Sequence, residues 1–120
     1  MTTVPTTLPP ARDAVALGFS AVKFDPLSLA VQQLDGPELR RAVERVEATR
    51  EAMGADGEIL IEGHGRLNAA AAIRFAAAVV DCEPFFFEEP CPPESPAEIA
   101  RVAAATTIPI AAGERCYNRW

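Results

Sequence analysis

Four short segments with a high apolar content recur along the chain, and each has the length of a buried β-strand. They lie at residues 19–26, 58–62, 85–89 and 107–114. The second contains a continuous apolar run, which is typical of strands that a parallel sheet buries on both faces. Longer segments with helical periodicity separate them. This alternation predicts an α/β fold with a parallel sheet and right-handed crossovers.

Helix boundaries are marked by capping residues and glycines. Asn68 is a candidate N-cap, and Ser95-Pro96-Ala97-Glu98 reads as a capping box with proline at the first helical position. The predicted helix that ends before Gly54 has one apolar stripe between charged residues, formed by Leu39, Val43, Val46 and Met53. The predicted helices are 11–17, closed by Gly18, 37–53, closed by Gly54, then 69–80 and 96–105.

Three glutamates follow successive apolar strands at equal spacing. Glu62, Glu88 and Glu114 are 26 residues apart in each case (88 − 62 and 114 − 88), which is about the length of one β/α unit. Parallel strands bring their carboxyl ends to one edge, where barrel enzymes and open α/β sheets place their sites. A single glutamate at a strand end is more often a cap or a solvated loop residue, but three at one spacing favour a shared site.

Three carboxylates at one edge need a counter-charge, because neighbouring strands lie only about 4.8 Å apart and like charges repel in a cleft of low dielectric. Mg²⁺ accepts oxygen ligands and leaves room for an oxygen-bearing substrate. The sequence therefore predicts a Mg²⁺ site formed by Glu62, Glu88 and Glu114.

Other polar residues are expected near this site. His64 lies two positions after Glu62, so in an extended segment the two face the same side. As the only histidine of the chain, it is a candidate general acid–base. Lys23 and Asp25 share a face of the first strand in the same way, and Lys23 can steady an anionic substrate. The non-functional interpretation of Lys23 is a lysine at the sheet edge whose aliphatic chain packs on apolar surface.

The segment FFFEEP at residues 85–90 raises the question of why two glutamates stand together. Alternation places Glu88 on the face of Phe86, towards the metal. The Glu89 side chain points to the opposite face, or Glu89 belongs to the turn that Pro90 enforces. We assign it a supporting or structural role. The three phenylalanines are assigned to core packing.

Composition narrows the possible partners and compartments. The chain has 120 residues and a net charge of −6, which argues against nucleic acid or an anionic membrane as partner. Residues 1–10 are predicted to be irregular and 11–120 to form one domain. No leader peptide or membrane-spanning run is visible, so a cytoplasmic protein is expected. Three cysteines without a C-x-x-C pair favour reduced thiols over disulfides or zinc ligands.

Four segments in this order, AVKFDP, IEGHGRL, FFFEEP and IPIAAGER, resemble the enolase superfamily, on the mandelate racemase/muconate lactonizing side. The acid-sugar dehydratases of galactonate type are the most similar group. The resemblance implies a TIM-type (β/α)₇β barrel, of which about four strands are present here. It implies Mg²⁺ ligation by Glu62, Glu88 and Glu114, His64 as general acid, and Lys23, Asp25 and Arg66 as substrate-binding residues, with Lys23 also catalytic.

The chemistry implied by the resemblance is dehydration of an aldonate through an enediolate to a 2-keto-3-deoxy acid. Glu62 departs from the aspartate that is common at the first metal position. Asp25 stands where the racemases have a second lysine, which counts against a racemase or cycloisomerase, the alternative enzymes. A non-catalytic remnant is the third interpretation. Because the capping domain and the later strands are missing, we expect the 120-residue chain alone to be inactive. A complete form is expected to be a homo-oligomer.

Overall fold

The computed structural model describes residues 8–28 and 30–117. Four parallel strands form one sheet in the order β1-β2-β3-β4. The strands are β1 (Ala21–Phe24), β2 (Glu58–Glu62), β3 (Phe86–Glu88) and β4 (Ile110–Ala111). The helices are α1 (Leu8–Ala16), α2 (Gly36–Met53), α3 (Ala69–Val79) and α4 (Pro96–Ala104), with a 3₁₀ turn at Val80–Cys82. The predicted parallel α/β fold is confirmed.

The helices pack side by side in chain order, α1 on α2, α2 on α3 and α3 on α4. Each crossover therefore places its helix beside the previous one, against the same face of the sheet. The core lies between this helical layer and the sheet. Its fully buried members include Val46, Ile59, Ile61, Phe75, Val79, Phe87 and Val102.

The three consecutive phenylalanines at positions 85–87 do not share one environment. Phe87 is fully buried and meets Phe75 edge to face, with ring centroids 5.4 Å apart. Phe86 is half-buried on the opposite face, where it is the register partner of Leu60. Phe85, which precedes the strand, is 57% exposed. The assignment of all three to the core was wrong. Alternation along the strand sends Phe86 to the face opposite Phe87, and Phe85 lies before the strand and stays exposed.

Two helix starts follow local signals. The side chain of Asn68 accepts a hydrogen bond from the Ala71 N–H at 2.8 Å and begins α3 as predicted. At α2, Asp35 and Glu38 form a complete capping box, which was not predicted.

Two predicted boundaries differ from the structure. Ser95 makes no side-chain capping bond, so the predicted capping box of α4 was wrong; the Glu98 N–H donates to the Ser95 carbonyl instead. Helix α1 begins at Leu8, three residues before the predicted start. Its two prolines lie in the first turn, where no intrahelical N–H is needed. Residues 1–7 lie outside the described part of the chain.

The cysteines are three free thiols, as predicted. Within the described ranges, no helix is both long enough and apolar enough to cross a bilayer.

Candidate metal centre and active site

Three glutamates meet at the carboxyl end of the sheet. Glu62 ends β2 and Glu88 ends β3, and the two are register partners. Strand β4 ends earlier, at Ala111, so the chain reaches Glu114 through a turn in which the Cys116 N–H donates to the Gly113 carbonyl. Each glutamate offers one carboxylate oxygen, and these three oxygens lie within 4.8 Å of one another.

Lys23 supplies a positive charge beside this cluster. Its Nζ lies 2.8 Å from Glu88 Oε1 and 3.7 Å from Glu62 Oε2. The hydrogen bond to Glu88 and the neighbouring carboxylate charges raise the pKa of Lys23, against a smaller opposing effect of desolvation. Lys23 is therefore an ammonium at neutral pH.

Glu62 is the most buried of the three glutamates, at 7% exposure. Desolvation by burial raises its pKa, and the charge of Glu88 acts in the same direction. A hydrogen bond from the His64 N–H to Glu62 Oε1, at 3.0 Å, opposes this rise. The protein therefore holds a carboxylate where its charge is disfavoured, which is common at functional sites.

His64 follows Glu62 in a left-handed backbone conformation, with φ of 52°. Its side chain is 61% exposed, and its Nδ1 lies 2.8 Å from Asp25 Oδ2. Because the same carboxylate forms an ion pair with Arg66, it serves as the acceptor and Nδ1–H as the donor. The other ring nitrogen, Nε2, is then free of this contact.

Asp25 and Arg66 are therefore linked to each other and to His64. Asp25 also accepts a hydrogen bond from the Leu27 N–H at 2.9 Å, and the Arg66 guanidinium donates to the Ser28 carbonyl. Desolvation lowers the pKa of Arg66. These contacts give both residues a role in holding the loop around His64, while their predicted contact with substrate stays a prediction.

One cavity of about 380 Å³ brings the site together. Its lining residues are Lys23, Phe24, Asp25, Glu62, His64, Glu88 and Glu114. The three predicted metal ligands and the predicted general acid thus face one space, together with Lys23 of β1 and Asp25, which follows β1. Arg66 is not among the lining residues and lies behind Asp25.

The residues of this cavity fit a hard divalent cation. Three carboxylates with oxygens this close supply the oxygen ligands that Mg²⁺ prefers, and the open cavity leaves room for water or a substrate oxygen. The Lys23 ammonium sits against two of the three carboxylates and marks the position as one that attracts positive charge.

Sequence reasoning missed two features of the site. It placed Asp25 near His64 without recognising their hydrogen bond. That contact depends on the β1–β2 register, which pairs Phe24 with Ile61 and so brings the ends of both strands to one level. It also assigned Glu89 a supporting or structural role without predicting its burial, and this residue is only 1% exposed. The adjacent like charges at positions 88 and 89 were the available signal.

Consecutive parallel β/α units with their helices on one face of the sheet and a carboxylate cluster at the strand ends are typical of β/α-barrel enzymes. The sequence model of the enolase C-terminal domain-like family matches residues 9–120. The chain belongs to this family. The resemblance to the enolase superfamily is thereby confirmed, and the four strands with their helices are part of its barrel.

Named relatives agree with this assignment. The chain is 43% identical over 108 residues to D-gluconate dehydratase of Thermoproteus tenax, covering 90% of this chain and 22% of the relative. It is 32% identical over 109 residues to D-gluconate/D-galactonate dehydratase of Picrophilus torridus, covering 91% and 28%. The chain thus spans about a quarter of the length of these relatives.

A solved structure gives the same result for the fold. The mandelate racemase/muconate lactonizing enzyme of Jannaschia sp. CCS1 superposes with a TM-score of 0.82 at 36% identity, covering 90% of this chain and 29% of that one. This similarity confirms the expected subgroup of the superfamily.

Proposed function

We propose that this chain carries the metal-binding half of the active site of an acid-sugar dehydratase. The reaction is the Mg²⁺-dependent removal of water from an aldonate to give a 2-keto-3-deoxy acid. The observation that supports it most is the placement of three carboxylates and a carboxylate-bound histidine around one cavity. The names of the relatives, dehydratases of D-gluconate and D-galactonate, agree with this substrate class.

The reaction needs one proton removed and one proton supplied. A base takes the proton α to the substrate carboxylate, and the hydroxyl on the β carbon departs with a proton as water. The enol left behind tautomerises to the 2-keto-3-deoxy acid. We assign His64 as the residue that donates a proton to the departing hydroxyl. General acid catalysis of this kind contributes about 10²–10⁴-fold.

His64 suits this task because Asp25 holds the ring. With Nδ1–H donated to Asp25 Oδ2 at 2.8 Å, Nε2 is the nitrogen that transfers the proton. The exposed side chain gives a substrate direct access to that atom. Asp25 thus orients the general acid, and its ion pair with Arg66 fixes Asp25 in turn.

Glu62, Glu88 and Glu114 would hold the Mg²⁺ ion. When bound, the ion supplies positive charge that stabilises an enediolate. In metal-dependent enzymes this stabilisation is on the order of several kcal/mol. Lys23 now pairs with Glu88. When Glu88 serves as a metal ligand, the Lys23 ammonium is free to pair with the substrate carboxylate instead.

A pair of variants tests this assignment in a form of the protein that turns over an aldonate. Glu88→Gln should abolish Mg²⁺ binding, measured by calorimetry, together with activity. His64→Asn should keep Mg²⁺ affinity and lose formation of the 2-keto-3-deoxy acid. Exchange of the α proton with solvent deuterium should persist in His64→Asn, because the base is a different group.

Three outcomes would contradict the proposal. Mg²⁺ affinity retained in Glu88→Gln removes the metal assignment, and Mg²⁺ affinity lost in His64→Asn removes the general-acid assignment. A product epimerised at the α carbon without loss of water indicates a racemase.

A further inference from the structure

Glu89 is a buried acidic residue outside the cavity. It follows the metal candidate Glu88, and its exposure is only 1%. Its backbone is left-handed, with φ of 48°, a conformation that few non-glycine residues adopt. Neither feature is needed for a simple turn before Pro90, so the position calls for an explanation from its contacts.

The contacts of Glu89 reach the loops on both sides of β3. Its backbone carbonyl accepts the Gly65 N–H at 2.7 Å, in the loop that carries His64. Its backbone N–H donates to the Ala111 carbonyl at 2.8 Å. Its side-chain Oε1 accepts the Gly113 N–H at 3.0 Å, immediately before Glu114. One residue therefore ties three successive strand ends together.

Arg115 completes this arrangement on the other side of Glu114. Its Nη2 lies 3.8 Å from Glu89 Oε2, an oxygen that is buried and makes no hydrogen bond. The same nitrogen would overlap a Cβ placed on Gly65, so the guanidinium packs directly over that glycine. Gly113 and Arg115, which flank Glu114 in the chain, are thus both held by contacts with the Glu89 side chain.

This matters because Glu114 is the candidate ligand that its strand does not position. Glu62 and Glu88 are the last residues of β2 and β3, whereas β4 ends three residues before Glu114. Glu114 is also exposed, unlike Glu62. The turn at 113–116 has one internal hydrogen bond, from the Cys116 N–H to the Gly113 carbonyl. It is linked to the Glu89 side chain, just after β3, by the hydrogen bond from the Gly113 N–H and by the ion pair with Arg115.

We propose that Glu89 is a positioning residue for Glu114: its buried carboxylate holds the Gly113 N–H and so delivers the third carboxylate to the cation. This inference rests on the proposed function for the identity of the cation as Mg²⁺. The hydrogen bond to Gly113 carries the role, and the charge facing Arg115 supports it. Groups that orient metal ligands typically change metal affinity by about 10–100-fold when they are removed.

The test separates positioning from general stability with three variants of the chain. Glu89→Leu fills a similar volume without an acceptor, so it leaves the Gly113 N–H unpaired and should lower the melting temperature. Its Mg²⁺ affinity, measured by calorimetry, should fall about 10–100-fold, and a control variant of lowered stability shows whether that loss is specific. Glu89→Gln keeps an acceptor oxygen and should restore the affinity to within about threefold of wild type, well inside that range.

Val102→Ala is the matched control, since it removes fully buried core volume in α4, away from the site. It should lower the melting temperature and leave Mg²⁺ affinity unchanged. Wild-type affinity in Glu89→Leu would overturn the proposal. So would a loss of affinity in Val102→Ala equal to that in Glu89→Leu.

A second measurement needs no metal and keeps this inference separate from the proposed function. Amide hydrogen exchange of Gly113, followed by NMR in metal-free buffer, should be faster in Glu89→Leu than in wild type and similar to wild type in Glu89→Gln. If wild type binds no Mg²⁺ but shows this pattern, the metal proposal fails and the hydrogen-bonding role of Glu89 stands. Unchanged exchange in Glu89→Leu overturns the role itself.

Discussion

Replacing Glu62 by glutamine should stabilise the metal-free chain and remove its stabilisation by Mg²⁺. Glu62 is buried, and desolvation raises its pKa, so the folded protein disfavours its charge. Glutamine has the same shape and keeps an oxygen to accept the His64 N–H. The substitution therefore removes the charge with little change in packing.

The size of the effect follows from the charges around Glu62. At 4.8 Å, the largest separation in the cluster, two carboxylates repel by about 3 kcal/mol in an effective dielectric of about 20. Glu62 meets two such neighbours. One ammonium, Lys23 at 3.7 Å, attracts it by about 4 kcal/mol on the same scale. Repulsion exceeds attraction, and screening at this open site reduces the difference to about 1 kcal/mol.

The pH dependence has a definite sign. A carboxyl whose pKa is higher in the folded state than its ordinary value of 4.5 destabilises the folded chain at neutral pH. This penalty is complete above the raised pKa and disappears as the pH falls below 4.5. The advantage of Glu62→Gln should therefore be present above the raised pKa and vanish in acid, as linkage requires for a carboxyl whose pKa is raised in the folded state.

Thermal unfolding with and without Mg²⁺ is the assay. Without metal, Glu62→Gln should melt about 4 °C above wild type, since 1 kcal/mol corresponds to roughly that shift. At a Mg²⁺ concentration of 100 times the dissociation constant, wild type should gain about 2.7 kcal/mol and the variant nothing, so their order reverses. Glu58→Gln, at the exposed opposite end of β2, should show neither effect. Destabilisation of metal-free Glu62→Gln, or equal Mg²⁺ stabilisation of both proteins, would refute the reasoning.

Two further predictions concern packing and thiol chemistry. Gly63→Ala should cost about 1–3 kcal/mol, because its Cβ would lie 2.6 Å from a backbone carbonyl oxygen and 2.9 Å from the Phe87 ring. Gly36→Ala, which meets only the flexible end of an arginine at 3.2 Å, is the control, and equal unfolding midpoints would contradict this. Iodoacetamide at pH 8 should label exposed Cys116 and spare Cys91 until the chain unfolds, because burial raises the pKa of the Cys91 thiol to about 11; mass mapping that finds equal labelling would disprove it. Stability should fall as the pH rises from about 9 towards 11, where the unfolded thiol ionises first.

Much of the fold could be predicted because its signals are local. The apolar runs at EILIE and FFFEE, and the Asn68 cap, each depend on residues close in sequence, and the structure contains the corresponding elements. Equal spacing of three glutamates then predicted a common site, since β/α units of similar length return the chain to one edge. The structure brings those carboxylates together.

Some local signals were outweighed by their surroundings. Ser95 has the sequence of a cap but makes no capping bond, because the Glu98 N–H reaches its backbone carbonyl instead. Phe85 belongs to an apolar run yet lies before the strand and stays exposed. A sequence pattern does not state which neighbours will cover a side chain.

The sequence by itself determined the order of elements, the parallel sheet and the set of acidic residues at its carboxyl edge. Only the tertiary structure decided how those residues are held. The pairing of Asp25 with His64 joins positions 39 residues apart, and the bond from Gly113 to Glu89 joins positions 24 apart. Periodicity reports which face a residue occupies within its own element. Contacts between elements depend on strand register and loop path, which the packing of the whole core sets.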